Sequence, residues 1–247
     1  MNRDPQNLAS GEYWAAGYRR QPLQYRPERV WFADLFARYF PAGGTCFEVG
    51  CYPGDYLIHL GRAFGYTVHG IDQTPATAAL AEHLRAHGVA VGRIHQGDFL
   101  SFTPPQRYEA VVSVGFVEHF SDFETVIQRH ADLLAPGGTL LLAAPNFRRM
   151  QYVFHRLFDR ENLERHVLAA MDLSRWREIL AARSLEILFA DYYGTFDFWM
   201  DAERPSLVSR VAGQALYRAG KAISRRVHRP TPSWSPFLVI VARRPAA

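Results

Sequence analysis

The sequence has almost no lysine: Lys221 is the only one among 28 basic residues, so arginine carries nearly all the positive charge. Cysteine is nearly as scarce. Cys46 and Cys51 are the only two; they flank the end of one apolar run, and neither has a partner elsewhere. That leaves no basis for a disulfide framework and fits a reducing compartment. No apolar run approaches the ~20 residues that span a bilayer. Residues 1–10 are polar and lack the apolar core of a secretory signal, so a cytoplasmic protein is expected. The net charge of +4 is too small to point to a nucleic-acid partner by itself. There is no internal repeat and no low-complexity tract. What is present is a chain of 247 residues, 48% hydrophobic and 21% charged, long enough to bury its own core.

From residue 45 onward the pattern alternates. Apolar runs at 45–49, 67–71, 91–95, 108–114 and 139–144 read as strands, separated by helical stretches at 56–64, 76–87 and 123–134. A further helix is expected over 26–40, ended by Pro41 and the Gly43–Gly44 pair. Strand and helix alternating at this spacing predict an α/β fold, a doubly wound parallel sheet with helices on both faces. Such sheets bind ligands beyond the C-terminal ends of their strands. The places to look are therefore residues 50–54, Asp72, Asp98 and 113–119.

The segment Phe47-Glu48-Val49-Gly50-Cys51-Tyr52-Pro53-Gly54-Asp55 follows an apolar strand and opens a helix. Gly50 and Gly54 permit a tight turn and close approach of a ligand to the backbone, and the helix start offers free amides and partial positive charge. The spacing is not the three-glycine dinucleotide fingerprint, and the lysine of a P-loop is missing. The segment resembles the first motif of class I S-adenosylmethionine-dependent methyltransferases, an acid followed by glycines, with Glu48, Gly50 and Gly54 in place and Tyr52 where a glycine is usual. Four more segments are similar to that family in the right order. Val68-His69-Gly70-Ile71-Asp72 looks like its second strand, Gly97-Asp98-Phe99 like the turn after the third, Tyr108 to Phe120 like the fourth strand and its loop, and Leu134 to Leu140 like the turn into the fifth. The closest subgroup looks like the small-molecule enzymes of the ubiquinone-biosynthesis type (type 11/12).

The resemblance implies a Rossmann-like sheet of about seven strands with the last antiparallel, and S-adenosyl-L-methionine as cofactor, leaving S-adenosyl-L-homocysteine. It implies cofactor contacts from Glu48, Gly50, Cys51, Tyr52, Gly54, Asp72, Gln73, Asp98, Phe99, Gly115 and Phe116. In it, Asp72 holds the ribose hydroxyls; by itself, an acid after a strand also serves as a helix cap. Methyl transfer needs the acceptor aligned with the C–S bond and water excluded. A hydroxyl acceptor also needs a base, for which His119, beside Glu118, is the candidate. Weaker candidates for acceptor contact are Tyr13, Trp14, Tyr18, His155, His166, Tyr192 and Tyr193. The histidines show no ligand spacing, and the fifth strand ends Ala144-Pro145-Asn146 without the acidic pair of metal-dependent catechol enzymes, so no metal is expected.

The expected layout is a helical lid over 1–41, a cofactor core over 42–146, a helical cap and acceptor region over 147–183, and closing strands over 184–247. The last part carries a basic amphipathic helix over 205–229, with Arg210, Gln214, Arg218, Lys221 and Arg225 on one stripe and Val208, Ala212, Leu216, Ala219 and Ile223 on another. That helix suits contact with anionic lipid or a phosphorylated acceptor. The leading expectation is methylation of a hydroxyl oxygen on a small molecule or glycan precursor. N- or C-methylation, lipid cyclopropanation through the Gly-Phe-Val-Glu-His stretch, and a non-catalytic binding protein are the alternatives. No RNA-binding module is visible.

Overall fold

The computed structural model describes residues 7–9, 13–14, 17, 23–200, 207–226 and 229–246. Seven strands form one sheet: β1 (Thr45–Val49), β2 (Thr67–Asp72), β3 (Val91–Gln96), β4 (Tyr108–Val114), β5 (Leu134–Pro145), β6 (Glu186–Tyr193) and β7 (Phe237–Arg243). Their order is β3-β2-β1-β4-β5-β7-β6. The first five strands run parallel, and β7 is antiparallel to both β5 and β6. Among the described residues, the helices with defined bounds are α1 (Ala33–Tyr39), α2 (Asp55–Phe64), α3 (Leu80–Ala86), α4 (Phe123–Asp132), α5 (Arg149–Phe158), α6 (Arg160–Glu164), α7 (Leu173–Ala182) and α8 (Leu207–Ser224).

Successive strand residues point to opposite faces, so a sheet covered on both sides needs apolar residues at every position. Phe47, Val111, Leu140, Leu142 and Ile240 pack with α4 and α7 on one face. Cys46, Val68, Val112, Leu141 and Val239 pack with α1, α2 and α3 on the other. On the first face, fully buried Trp176 of α7 donates from its indole N–H to the Ala170 carbonyl at 2.7 Å, so its one polar atom is satisfied within the core. The winding direction reverses between β1 and β4, and the C-terminal ends of these strands frame the crevice where a ligand fits.

Several elements depart from the sequence expectation. The helix expected over 26–40 is a 3-10 turn at Pro27–Arg29 followed by α1, and the stretch at 76–87 divides into a 3-10 turn at Pro75–Ala79 and α3. β5 begins at Leu134: its register with β4 jumps from Tyr108↔Leu134 to Ala110↔Thr139, so the Pro136–Gly138 turn is an irregularity inside the strand. Within the expected lid, Phe32, Leu35 and Phe36 are buried in the core, and within the expected cap α7 covers the sheet. In α8 the packed side is set by small residues. Gly213 lies against Phe198 and Met200, and Gly220 lies so close to Phe196 that a Cβ could not fit. Ile223 and Ala219, on the apolar stripe, are exposed. The expected helix ends, residues 205–206 and 227–228, lie outside the described residues.

Candidate active site

Gly50 (φ 76°) and Gly54 (φ 96°) adopt the left-handed backbone that glycine tolerates. Both are also crowded. A Cβ on Gly54 would meet Leu80 Cδ1 at 2.8 Å, and one on Gly50 would meet the Phe116 ring at 3.3 Å. The turn is tied to β2 by its backbone: Gly50 N–H donates to the Ile71 carbonyl at 2.9 Å, and Cys51 N–H to the same oxygen at 3.2 Å. Asp72 completes the tie. Its Oδ2 accepts from Tyr52 N–H at 3.2 Å and its Oδ1 from Thr74 N–H at 2.9 Å. The Gln73 N–H also favours the carboxylate, whose remaining lone-pair capacity is left for a ligand.

This turn forms one wall of a cavity of about 410 Å³ at the β1/β4 crevice. All the cofactor candidates line it except Cys51. That residue is a correction: the positive φ at Gly50 turns the next side chain back into the core, where the Cys51 thiol abuts Gly70 so tightly that a Cβ there would lie 2.8 Å from its sulfur. Tyr52 neither blocks the cavity nor leaves it; it forms part of the wall, 7% exposed. Phe99 and Phe116 meet edge to face at 5.8 Å, and exposed Asp98 uses one carboxylate oxygen to accept from Leu100 N–H at 3.0 Å. Sequence reasoning missed Arg29, Trp31, Asp55, Tyr56 and Phe120. Tyr56 carried a usable signal: it stands in the first helical turn after the glycines, where side chains lean back toward the turn.

The cavity is rich in acid. Glu48, Asp55 and Asp72 all line it. Burial, with the charges of Asp55 and Asp72, pushes the Glu48 carboxyl well above its ordinary range, opposed by a hydrogen bond from the Leu57 N–H; its Oε2 has no partner. Burial also raises Asp72 and Asp55. A pocket with this excess of buried carboxylate suits a ligand bearing positive charge.

A family profile described as a methyltransferase domain matches residues 19–192. The chain belongs to this methyltransferase family. The ubiquinone biosynthesis O-methyltransferase of Pseudomonas savastanoi is 30% identical over 145 residues, 58% of this chain and 61% of that protein. The mitochondrial enzyme of the same name from Rattus norvegicus is 28% identical over 125 residues, 49% of this chain and 36% of that one. The chain thus matches less than two thirds of these relatives' length. Two solved structures share the fold. A Haloferax volcanii methyltransferase, in complex with its Trm112 activator, has a TM-score of 0.60 at 20% identity and covers 99% of this chain and 100% of that one. Geranyl diphosphate C-methyltransferase from Streptomyces coelicolor, bound to S-adenosyl-L-homocysteine, has a TM-score of 0.59 at 15% identity, covering 86% and 78%. A methyltransferase domain implies use of S-adenosylmethionine, which carries both a sulfonium and an ammonium.

The structure places the remaining methyltransferase candidates unevenly. Trp14 lines the cavity and meets the His119 ring edge to face at 5.1 Å, and Tyr13 packs on Trp14 and under the Arg165 guanidinium. Glu118 and His119 sit behind the wall: neither lines the cavity, and both are buried. Burial lowers His119 to about 4 and raises Glu118 to about 8. The general-base expectation for His119 therefore loses its support, because the ring is screened by Trp14 and its basicity is far from neutral. His155 is enclosed between Phe147 and Phe198, 3.6 Å from Asp159. The Tyr193 hydroxyl donates to Asp34 at 2.6 Å, and Tyr192 packs against the core; neither lines the cavity. Both are on β6, which β7 holds apart from the crevice. Tyr18 lies outside the described residues. Although the histidines show no ligand spacing in the sequence, the fold brings Glu118, His119 and His166 together.

Proposed function

We propose that this methyltransferase moves the methyl group of S-adenosylmethionine to a hydroxyl oxygen of a small molecule or glycan precursor. The observation that carries the cofactor half is the acid-and-glycine cavity at the switch point. Glu48 would accept from the ammonium of the methionyl part, Asp72 from the ribose hydroxyls, and Asp98 from the adenine amine, with the ring lying against the Phe99 and Phe116 side of the cavity. Oxygen as acceptor atom is supported by the name of the Pseudomonas and rat relatives. The acceptor would approach from the Trp14 and Phe120 side, where aromatic surface excludes water.

The test is turnover with methyl-labelled cofactor against phenolic, sugar-hydroxyl, amine and activated-carbon acceptors, with the new bond located by NMR. Label on oxygen supports the reading. Label on nitrogen or carbon replaces it with the N- or C-methyl alternative, and a cyclopropane product with the lipid one. Absence of cofactor binding at millimolar ligand supports a non-catalytic binding role. The described part of α8 adds a location. Leu207 and Val211 are exposed beside Arg210, Arg218 and Arg225, and 207–226 contains no acid. We propose that this face rests on anionic lipid. Sedimentation with phosphatidylglycerol vesicles at low salt supports it, and no co-sedimentation removes it.

A further inference from the structure

We propose that Glu118, His119 and His166 form a binding site for one divalent transition-metal ion, of the zinc or cobalt type, directly behind the cavity wall. One ligand atom from each lies within 4.8 Å of the other two. His119 Nε2 is 3.8 Å from Glu118 Oε1, and the two imidazole centroids are 4.6 Å apart. Ligand atoms around a four-coordinate zinc stand roughly 3.4 Å from one another, so a closing of about 1 Å would complete the geometry.

Three observations set this cluster apart from an ordinary buried polar group. First, the histidines are pre-oriented. His119 Nδ1 lies 2.9 Å from the Arg165 carbonyl and His166 Nδ1 lies 2.6 Å from the Asn162 carbonyl. A carbonyl only accepts, so each Nδ1 carries the hydrogen and each Nε2 presents a lone pair. This is the outer-shell arrangement that fixes the tautomer of metal-bound histidine. Second, both carboxylate oxygens of Glu118 are buried without a hydrogen-bond partner. An unpartnered carboxylate inside a protein needs a cation or a proton. Third, the backbone holds the parts in register. Val167 N–H donates to the Glu118 carbonyl at 2.7 Å, joining the loop that carries His166 to the turn that carries the other two residues.

Two nitrogens and one carboxylate oxygen favour a borderline ion over magnesium or calcium, which prefer all-oxygen sets. Three protein ligands leave a position open. Glu118 Oε1 is 3.7 Å from the point where a Cβ on Gly115 would sit, and Gly115 lines the cavity. The ion would compensate the buried Glu118 carboxylate and pin the turn at 117–119 to the loop that carries His166, directly behind the cavity wall.

The test uses the untagged full chain, freed of metal with chelator and titrated with Co²⁺ or Zn²⁺ alone. One equivalent should bind, with visible cobalt bands, and Glu118→Gln and His166→Gln should each weaken it at least tenfold. Metal-edge X-ray absorption of the unsubstituted chain should show two imidazole ligands, which keeps the test valid if a variant fails to fold. No binding by the folded chain, undiminished binding in both folded variants, or a coordination shell without imidazole overturns the proposal. Neither cofactor nor acceptor is present, so failure of the hydroxyl reading leaves the outcome unchanged.

Discussion

Substituting Asp72 by Asn separates the two tasks assigned to that carboxylate. Asp72 is 8% exposed and holds two backbone N–H groups, Tyr52 at 3.2 Å through one oxygen and Thr74 at 2.9 Å through the other. An asparagine keeps one acceptor and turns an NH₂ toward the second N–H. The lost bond to a charged acceptor is worth about 1.5–3 kcal/mol. Burial opposes that loss, because it already disfavours the charge and raises the Asp72 carboxyl. The net change in unfolding free energy of the unliganded chain should therefore be on the order of 1 kcal/mol. Cofactor affinity has no such offset, because the ribose would lose a charged acceptor outright. A loss of about 1.5–3 kcal/mol corresponds to a roughly 10- to 150-fold rise in Kd. Calorimetry with S-adenosylmethionine and thermal unfolding of the same samples give the two numbers. A Kd within twofold of the unsubstituted chain would refute the role given to Asp72.

Binding of the cofactor should release a proton, because Glu48 has its carboxyl raised in the empty cavity and an arriving ammonium favours the ionised form. Affinity should then rise with pH across the range between the ordinary carboxylate value and the raised one. Identical apparent binding enthalpies in buffers of different ionisation heat would count against it. Burial lowers His130 to about 4 from an ordinary 6.5, so the unfolded chain binds the extra proton between those values. Stability is full above pH 6.5 and falls as pH drops toward 4, by on the order of 3 kcal/mol. His130→Leu should flatten this acid limb by one proton's slope in unfolding titrations, and an unchanged slope would remove the assignment. Gly54→Ala combines a left-handed backbone with the Leu80 contact at 2.8 Å, whereas Gly65→Ala (φ 72°) meets nothing within 4 Å. The first should cost on the order of 2–4 kcal/mol and the second about 1; equal melting shifts would show that packing at Gly54 is not the cause.

The sheet was legible because fully buried parallel strands must be apolar at every position, as in Val111–Val112 and Leu140–Leu142. The cofactor wall was legible for a related reason: Glu48 and Asp72 lie at the C-terminal ends of their strands and Asp98 just past the end of another, so topology alone carries them to one crevice. Cys51 was not legible, since its direction depends on the sign of φ at Gly50. Tyr192 and Tyr193 looked available because nothing in the sequence says that β7 inserts between β5 and β6. The meeting of His166 with Glu118 and His119 escaped for a third reason. Residues 147–167 have no period relating them to the turn after β4, and only the folded backbone brings them there. In α8, an apolar stripe was the visible feature, but the seat is made by glycines, which carry no hydrophobic signal.

Residues 117–119 anchor two distant stretches of chain. The N-terminal segment bonds there through Leu8 N–H to the His119 carbonyl at 2.7 Å, and the region after α6 through Val167 N–H to the Glu118 carbonyl. Trp14 carries the first stretch into the cavity lining, and the second packs behind it, where the His166 ring meets that of His119. The molecule is thereby divided into a half that can stay constant and a half that can be exchanged, joined at one short turn. Chimeras that graft residues 1–17 and 147–167 together from a relative should keep their junction and inherit the donor's acceptor preference. Grafting either stretch alone mismatches the partner at that turn. On the proposed reading, acceptor choice should pass between relatives as a pair of segments, not as a single loop.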